Sequence, residues 1–595
     1  MTGRRNPGPF ARLRKAALAR PRLAGTFSLL ALLAVATVTI DLRFGIPFPI
    51  PAETTPRHSM VVAAHPLATK AGLAILREGG GAVDAAIAAA LVLNLVEPQA
   101  SGIGGGGFLV HYAKETGRVE TYDGRETAPE SVGENLFLDA DGKPLAFYRA
   151  AVGGRSVGVP GLLRLFELAH REHGKLPWGR LFEPAIALAE EGFPISERLS
   201  RLIASATLLD AFAPTKSYFL NADGSPKAAG QRLKNPAFAE TLRALAEGGA
   251  GAFYEGEIAK AIAEAVTTAA HNPSLLTTAD IAAYRARKRE PVCRPYRRAR
   301  VCTIGPPSSG GVTLLQALGI LEAFDVGAHA PGSLEAVHLV AEASRLAFAD
   351  RDRYLADPDF VPQPVNALLD PAYLAERAGQ ISLAKSLGTA KPGLITGWLP
   401  PRNEKTGTLP ESLSTTHLSV VDQAGNAVAL TASIEAPFGS RLMVKGFLLN
   451  NELTDFDFLP RQGPRLLANR VEAGKRPRSS MTPVVVFDEN GRLQLALGSP
   501  GGPYIIGFVL KTLVAVLDWG MDIQTAIALP NFTNRNGKTE LESGTAVAGL
   551  APALERLGHA VEVRELTSGL HGIERRGRML AGGADPRREG VALGD

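Results

Sequence analysis

Few of the arrangements on which hydrolytic or redox chemistry usually rests occur in this chain. There is no Gly-x-Ser-x-Gly elbow and no His-Glu-x-x-His helix. Gly102, Gly104 and Gly107 satisfy G-x-G-x-x-G, but an Ala-rich helical run precedes them and the β-like Phe-Leu-Val-His-Tyr follows. A dinucleotide loop needs the opposite order, so tight backbone packing is the expected role. Ser308–Ser309 and Ser479–Ser480 are serine pairs with no adjacent base. Cys293 and Cys302 have no histidines at metal-ligand spacing, so no zinc site is expected from them. They flank a basic turn, which leaves a cross-hairpin disulfide open if the chain is exported; buried free thiols are the commoner arrangement. The run Thr415-Thr416-His417 is different in kind. A threonine hydroxyl is a poor nucleophile until a base takes its proton, and a chain-terminal α-amine, with a pKa of about 8, can be that base within the same residue. Thr415 follows a Pro/Gly/Ser/Thr-rich segment and heads a β-like run, where a chain break would create such an amine. On pattern alone it reads equally as a good strand residue.

Several separate motifs then agree. "STTHLSVVDQAGNAVALTASIE", "NNELTDF", "GKRPRSSMTP" and "GSPGG", with "VVAAHPLATKAGLAILREGGGAVDAAIA", "SGIGGGGF", "DGRETAP" and the closing "GGADPRREGVALG", stand in the order found in γ-glutamyltransferases, so residues 57–592 resemble that family. The resemblance implies an N-terminal-nucleophile hydrolase, a four-layer αββα sandwich with antiparallel sheets. It also implies a precursor that cuts itself between Ser414 and Thr415, giving a large subunit (57–414) and a small subunit (415–595) that stay together as a heterodimer. Thr415 would then attack the γ-carbonyl of a glutamyl donor such as glutathione and pass the acyl group to water or to an amine acceptor. No metal or organic cofactor is needed for this chemistry.

The same resemblance assigns the supporting residues. Gly501 and Gly502 would offer N–H groups to the oxyanion. Arg125, with the hydroxyls of Ser479 and Ser480, would hold the donor α-carboxylate. Glu452 and Asp455 would hold the α-ammonium. Ser433 takes the place of a threonine expected to hold the Thr415 amine, and Glu435 stands where asparagine is frequent. The stretch 457–474 is short for a lid and has no tyrosine, so an open site is expected. The alternative is a cephalosporin (glutaryl) acylase of the same fold; a catalytically inactive tethered binding protein is a third reading. The carboxylates argue for a γ-glutamyl donor, because a glutaryl group has no amine to bind.

Those residues need elements to place them. "HPLATKAGLAILREGGG" and the Ala-rich "AVDAAIAAALVLNLVEP" read as helices, the second apolar all round and therefore buried. Residues 155–385 are mainly helical, with glycines at several helix ends. Residues 387–414 read as an exposed linker. From Thr415 onward, alternating runs joined by Asp-x-x-Gly-Asn and Asp-Glu-Asn-Gly turns read as hairpins. Helices flanking such strands imply a layered α/β body.

With 595 residues, 45% of them hydrophobic, and a formal net charge of +5, the chain has ample core material and no charge excess that would indicate nucleic-acid binding. Seven basic residues, Arg4, Arg5, Arg12, Arg14, Lys15, Arg20 and Arg22, and no acidic ones lie in the first 23 positions, ahead of an uncharged apolar stretch at 24–40 and a Pro-rich linker at 41–56. This order matches an export signal, either a cleaved signal peptide or an uncleaved inner-membrane anchor, and implies a periplasmic or extracytoplasmic location.

Overall fold

The computed structural model describes residues 58–398 and 414–595; the expected signal or anchor at 24–40 and the 41–56 linker lie outside them. Among the described residues no helix is long and apolar enough to cross a membrane.

Thirteen strands build two sheets: β1 (Met60–Ala63), β2 (Gly106–Ala113), β3 (Arg118–Asp123), β4 (Arg287–Arg289), β5 (Pro291–Tyr296), β6 (Ala299–Ile304), β7 (Thr416–Val421), β8 (Ala427–Ser433), β9 (Val484–Phe487), β10 (Leu493–Gly498), β11 (His571–Arg576), β12 (Met579–Ala584) and β13 (Val591–Gly594). The first sheet runs β13-β1-β7-β8-β2-β3-β4 and the second β12-β11-β10-β9-β6-β5, antiparallel throughout. The sheets pack face to face, and strand alternation explains why both faces of the first are apolar. Along β1, Val61 and Ala63 enter the core beneath α1 (Pro66–Arg77), α2 (Ala82–Val96) and α3 (Leu162–His173), whereas Met60 and Val62 enter the core shared with the second sheet. Every residue of α2 is buried, as its all-round apolar sequence requires. On the far side of the second sheet lie α4 (Gly310–Leu321) and α6 (Ile505–Leu517), with α5 (Leu334–Tyr354) against α4. The Ser333 hydroxyl caps α5 by accepting the Ala336 N–H at 3.3 Å.

Register aligns one end of the first sheet. Thr416 pairs with Ala432, so Thr415 stands opposite Ser433; Ser433 pairs with Gly106; Phe108 pairs with Asp123, and Gly107 exchanges backbone hydrogen bonds with Gly124, which brings Gly106 opposite Arg125. Thr415, Ser433, Gly106 and Arg125 therefore form one row across four strands, spanning about 14 Å at the usual strand spacing. The glycine loop ahead of β2 packs as expected: a Cβ at Gly104 would lie 2.1 Å from the Leu448 carbonyl oxygen.

One expectation needs correction. Cys293 and Cys302 face each other across the β5–β6 hairpin and form a disulfide rather than remaining free thiols, because the register makes them direct partners. The 387–398 part of the expected linker is largely exposed or half-buried, with Leu394 78% exposed, yet it is also tied to the body. The buried Asp350 carboxylate accepts the Gly393 N–H (2.7 Å), the Tyr354 hydroxyl donates to the Gly393 carbonyl (2.7 Å), and the Asn536 side chain bonds Ala390 through both its N–H and its C=O.

Gly104→Ala forces a methyl group into backbone and is expected to cost at least the ~1–3 kcal/mol typical of overpacking; a lowered thermal midpoint checks this, and an unchanged midpoint would mean that the loop has room to move.

Candidate active site

At the head of β7, Thr415 is buried and has φ of +115°. A β-branched residue rarely enters that region, so its backbone is strained, typically by about 1–3 kcal/mol. Its Oγ1 lies 3.1 Å from the Ser433 Oγ, which also accepts the Glu435 N–H at 2.9 Å. The preceding Ser414 hydroxyl donates to the Gln99 carbonyl, and Arg588 Nη1 donates to the Thr415 carbonyl at 3.4 Å. Both flanks of the Ser414–Thr415 peptide are thus pinned. Burial first, and then the nearby Arg198 charge, push the Arg588 guanidinium down to about 9. Sequence reasoning gave Arg588 no role, although it lies in the closing Gly-Gly-Ala-Asp-Pro-Arg-Arg-Glu-Gly motif.

His417 does not act on Thr415. It sits between the sheets, where a Cβ at Gly498 would meet its ring at 2.3 Å, and both its nitrogens are engaged: Nδ1 with Thr431 Oγ1 (2.8 Å) and Nε2 with Ser419 Oγ (3.1 Å). Burial, with His571 nearby, holds the imidazole well below its ordinary range and therefore neutral. Beyond Gly498, β10 ends in Ser499-Pro500-Gly501-Gly502. Gly501 has φ of +134° and Gly502 of +54°, successive left-handed conformations that glycine alone adopts cheaply. Among the described residues neither N–H meets a backbone acceptor, so both are open to an incoming anion.

At the other end of the row, the fully buried Arg125 guanidinium pairs with Glu452 through Nη1 and with Asp455 through Nη2, while Nε donates to the Pro477 carbonyl at 3.1 Å. The cation and the two carboxylates expected to grip opposite ends of a ligand therefore grip each other here. A short 3-10 turn, Glu452–Asp455, holds both acids. Burial alone would lower the Arg125 pKa, but Glu452, Asp455 and Glu126 outweigh it and raise it. Burial raises the Glu452 carboxyl to about 7, against the pull of Arg125 and with the push of Asp455. Half-buried Glu435 has φ of +73°, accepts the Asn451 side-chain N–H, and is raised well above its ordinary value by burial, Asp455 and Glu452. Glu126, missed from sequence, lies buried behind Arg125 with Oε2 3.7 Å from Nη1; burial and Glu452 raise its pKa too.

The serine pairs come together. Ser309 Oγ donates to the Ser479 carbonyl (2.7 Å) and accepts from Arg351 Nε (2.8 Å), and Ser480 Oγ accepts from Arg351 Nη2 (2.8 Å). Ser479 Oγ accepts the Met481 N–H at 3.1 Å. Arg125 touches this segment two residues earlier, at the Pro477 and Arg478 carbonyls. Arg351, the residue that joins the pairs, was also missed; its only sequence signal is the charge cluster Asp350-Arg351-Asp352-Arg353 near the end of α5. The 457–474 stretch is a small folded flap, with the two-residue strands Arg461–Gln462 and Arg465–Leu466 paired and Phe458 stacked on Phe137 at 4.5 Å.

Because the folded Glu452 pKa lies above the ordinary 4.5, its protonation contributes stability that is full below about 4.5 and lost as pH rises through about 7. Thermal melts across that window are expected to fall more steeply for the wild type than for Glu452→Gln; parallel curves would mean that Glu452 is ionised throughout.

The Gamma-glutamyltranspeptidase family model matches residues 68–595. The chain is 36% identical over 552 residues to the glutathione hydrolase proenzyme of Bacillus subtilis (strain 168), covering 90% of this chain and 92% of that one. It is 37% identical over 509 residues to the acylase ACY 1 proenzyme of Pseudomonas sp. (strain SE83), covering 84% and 87%. The crystal structure of a cephalosporin acylase from Bacillus halodurans superposes with a TM-score of 0.79 at 28% identity, covering 92% of this chain and 98% of that one.

Proposed function

Because the chain belongs to the γ-glutamyltranspeptidase family, we propose that it is a self-processing enzyme that hydrolyses γ-glutamyl amides such as glutathione and transfers the glutamyl group to amines. The observation that carries this reading is the Thr415 hydroxyl, buried beside Ser433 on a strained backbone at the end of the row that leads to Arg125.

In the first step Thr415 Oγ1 attacks the Ser414 carbonyl, the peptide nitrogen leaves as the Thr415 amine, and water hydrolyses the resulting ester. Cleavage relieves the φ of +115°, since a chain-terminal residue has no φ to strain. The fragments 57–414 and 415–595 remain joined, because the first sheet interleaves them: β7 lies between β1 and β8, and β8 lies against β2. In the second step the free amine takes the Oγ1 proton, held in place by the Ser433 hydroxyl, and Oγ1 attacks the donor γ-carbonyl. The oxyanion lies on the N–H groups of Gly501 and Gly502. The amine then protonates the departing amide nitrogen, leaving an ester on Thr415 that water or an amine acceptor cleaves.

The paired Arg125, Glu452 and Asp455 suit a zwitterionic head. An incoming α-carboxylate replaces Glu452 and Asp455 on the guanidinium, and the α-ammonium takes up the released acids, so no buried charge is left alone. Ser479, Ser480 and Arg351 support the carboxylate side, and Glu435 supports the ammonium side. The acylase relatives favour a second reading, a glutaryl donor; such a donor would leave Glu452 and Asp455 without a cation. The basic, then apolar N-terminus and the Cys293–Cys302 disulfide together support export to an oxidising, extracytoplasmic compartment, with residues 24–40 as cleaved signal or inner-membrane anchor.

The purified wild type is expected to run as two fragments, the smaller beginning at Thr415 by mass spectrometry, and Thr415→Ala as one inactive chain. An active single chain would end this reading. Arg125→Lys, which loses the fork geometry, is expected to lower kcat/KM for a γ-glutamyl anilide by at least ~100-fold, in line with the ~2–5 kcal/mol lost when a buried hydrogen-bonded charge pair is broken. Release from a glutaryl anilide is expected to be much slower than from the γ-glutamyl one; the reverse order would select the acylase reading.

A further inference from the structure

We propose that the helix-covered face of the first sheet carries a structural site for a divalent transition metal, best suited to Zn2+, formed by His111 Nδ1, Glu120 Oε2 and His173 Nε2. Register creates it. His111 on β2 and Glu120 on β3 are direct cross-strand partners, and His173 is the last residue of α3, which packs over that face. The three donor atoms all lie within 4.8 Å of one another. Oε2 of Glu120 is 2.9 Å from His173 Nε2 and 3.6 Å from His111 Nδ1. Zinc bonds of ~2.0–2.1 Å in tetrahedral geometry set donors about 3.4 Å apart, so only small side-chain adjustments close the site.

The buried His111 provides an independent indication. Its Nδ1 has no hydrogen-bond partner, although the residue is 3% exposed and the nitrogen is turned toward the Glu120 carboxylate. Buried imidazoles ordinarily satisfy both nitrogens, and one held open beside a carboxylate and a second histidine offers the N,N,O donors that such a metal takes. The neighbours leave the His111 Nδ1 and Glu120 Oε2 lone pairs available: Lys288 binds Oε1 of Glu120, not Oε2, and its charge is shared with Glu172 at 2.6 Å. His173 Nε2 lies 2.7 Å from the Tyr122 hydroxyl, which itself donates to Glu172 at 2.7 Å, so metal binding replaces that contact and takes the Nε2 proton. A cavity of about 360 Å³, lined also by Asp422 and Asn426, gives an ion and a fourth, water ligand a way in.

The other such cluster among the described residues, His338, Glu342 and His559, lacks these features. His338 Nδ1 meets His559 Nε2 (2.7 Å), His338 Nε2 meets the Ser382 carbonyl (2.8 Å), His559 Nδ1 meets Thr539 (2.8 Å), and Glu342 accepts from Ser386 and Leu387. It is a closed hydrogen-bond network. The proposed ion takes no part in catalysis: His111 lies five residues along β2 from Gly106, at the far end of the strand from the Thr415 row. It clips α3 to the β2–β3 hairpin.

Untagged full-length protein, stripped with EDTA and titrated with Co2+, tests this. One Co2+ per chain is expected, with the visible absorption bands of tetrahedral coordination, and Zn2+ is expected to displace it and raise the thermal midpoint. His173→Gln, a change at a helix end, is expected to lose the bands and the Zn2+-induced rise while keeping the metal-free midpoint and γ-glutamyl turnover of the wild type. His338→Ala is expected to keep the bands. Absence of stoichiometric Co2+ binding by the wild type, or bands that persist in a folded His173→Gln, would overturn the proposal; should His173→Gln not fold, Glu120→Gln takes its place with the same two readings.

Discussion

The antiparallel register among β7, β8 and β2 is the constraint on which the rest depends. It sets Thr415 opposite Ser433 and Ser433 opposite Gly106, and through the Gly107–Gly124 pair it carries the same row to Arg125. A slip of one residue would turn the Thr415 hydroxyl to the opposite face of the sheet, beneath α2. The register is secured because alternate residues fill two different cores: Leu418 and Val420 under the helices, Val421 between the sheets. Core packing and catalytic geometry are thus one requirement, and the inward-facing Thr415, His417 and Ser419 are the polar cost of it.

Charge follows from that placement. Arg125 is fully buried, and a lone guanidinium there would be untenable, so the turn Glu452–Asp455 brings acids to it. The surrounding Glu126 and Glu435, both pushed toward the neutral form by burial and by neighbouring acids, limit the negative charge the cluster must carry. The outcome is a site whose guanidinium is already paired when empty and whose net charge does not change when a zwitterion is exchanged into it. A donor lacking the ammonium breaks that balance, which is the physical basis for preferring γ-glutamyl over glutaryl substrates.

Much of this was legible in the sequence where periodicity and end signals are local. The helices at Pro66–Arg77, Ala82–Val96 and Leu334–Tyr354 and the hairpin Val484–Phe487/Leu493–Gly498 follow from apolar spacing, caps and turns. Thr415 by itself reads only as a strand residue; its meaning came from motifs spread over the chain. What stayed hidden was tertiary. The Cys293–Cys302 bond depends on which residues face each other across a hairpin, Arg351 acts on serines 42 and 129 positions away, and the Ala390–Gly393 segment is held by Asp350 and Asn536 despite its loop-like composition. None of these leaves a periodic trace.

The central claim is that the Thr415 hydroxyl itself carries the acyl group. Acid quenching during turnover of a slow γ-glutamyl donor, followed by peptide mass spectrometry, reads this directly. The account predicts a γ-glutamyl ester on the peptide that begins at Thr415, sensitive to hydroxylamine; an adduct on any other residue, or turnover with no covalent adduct under conditions where deacylation is slow, would contradict it.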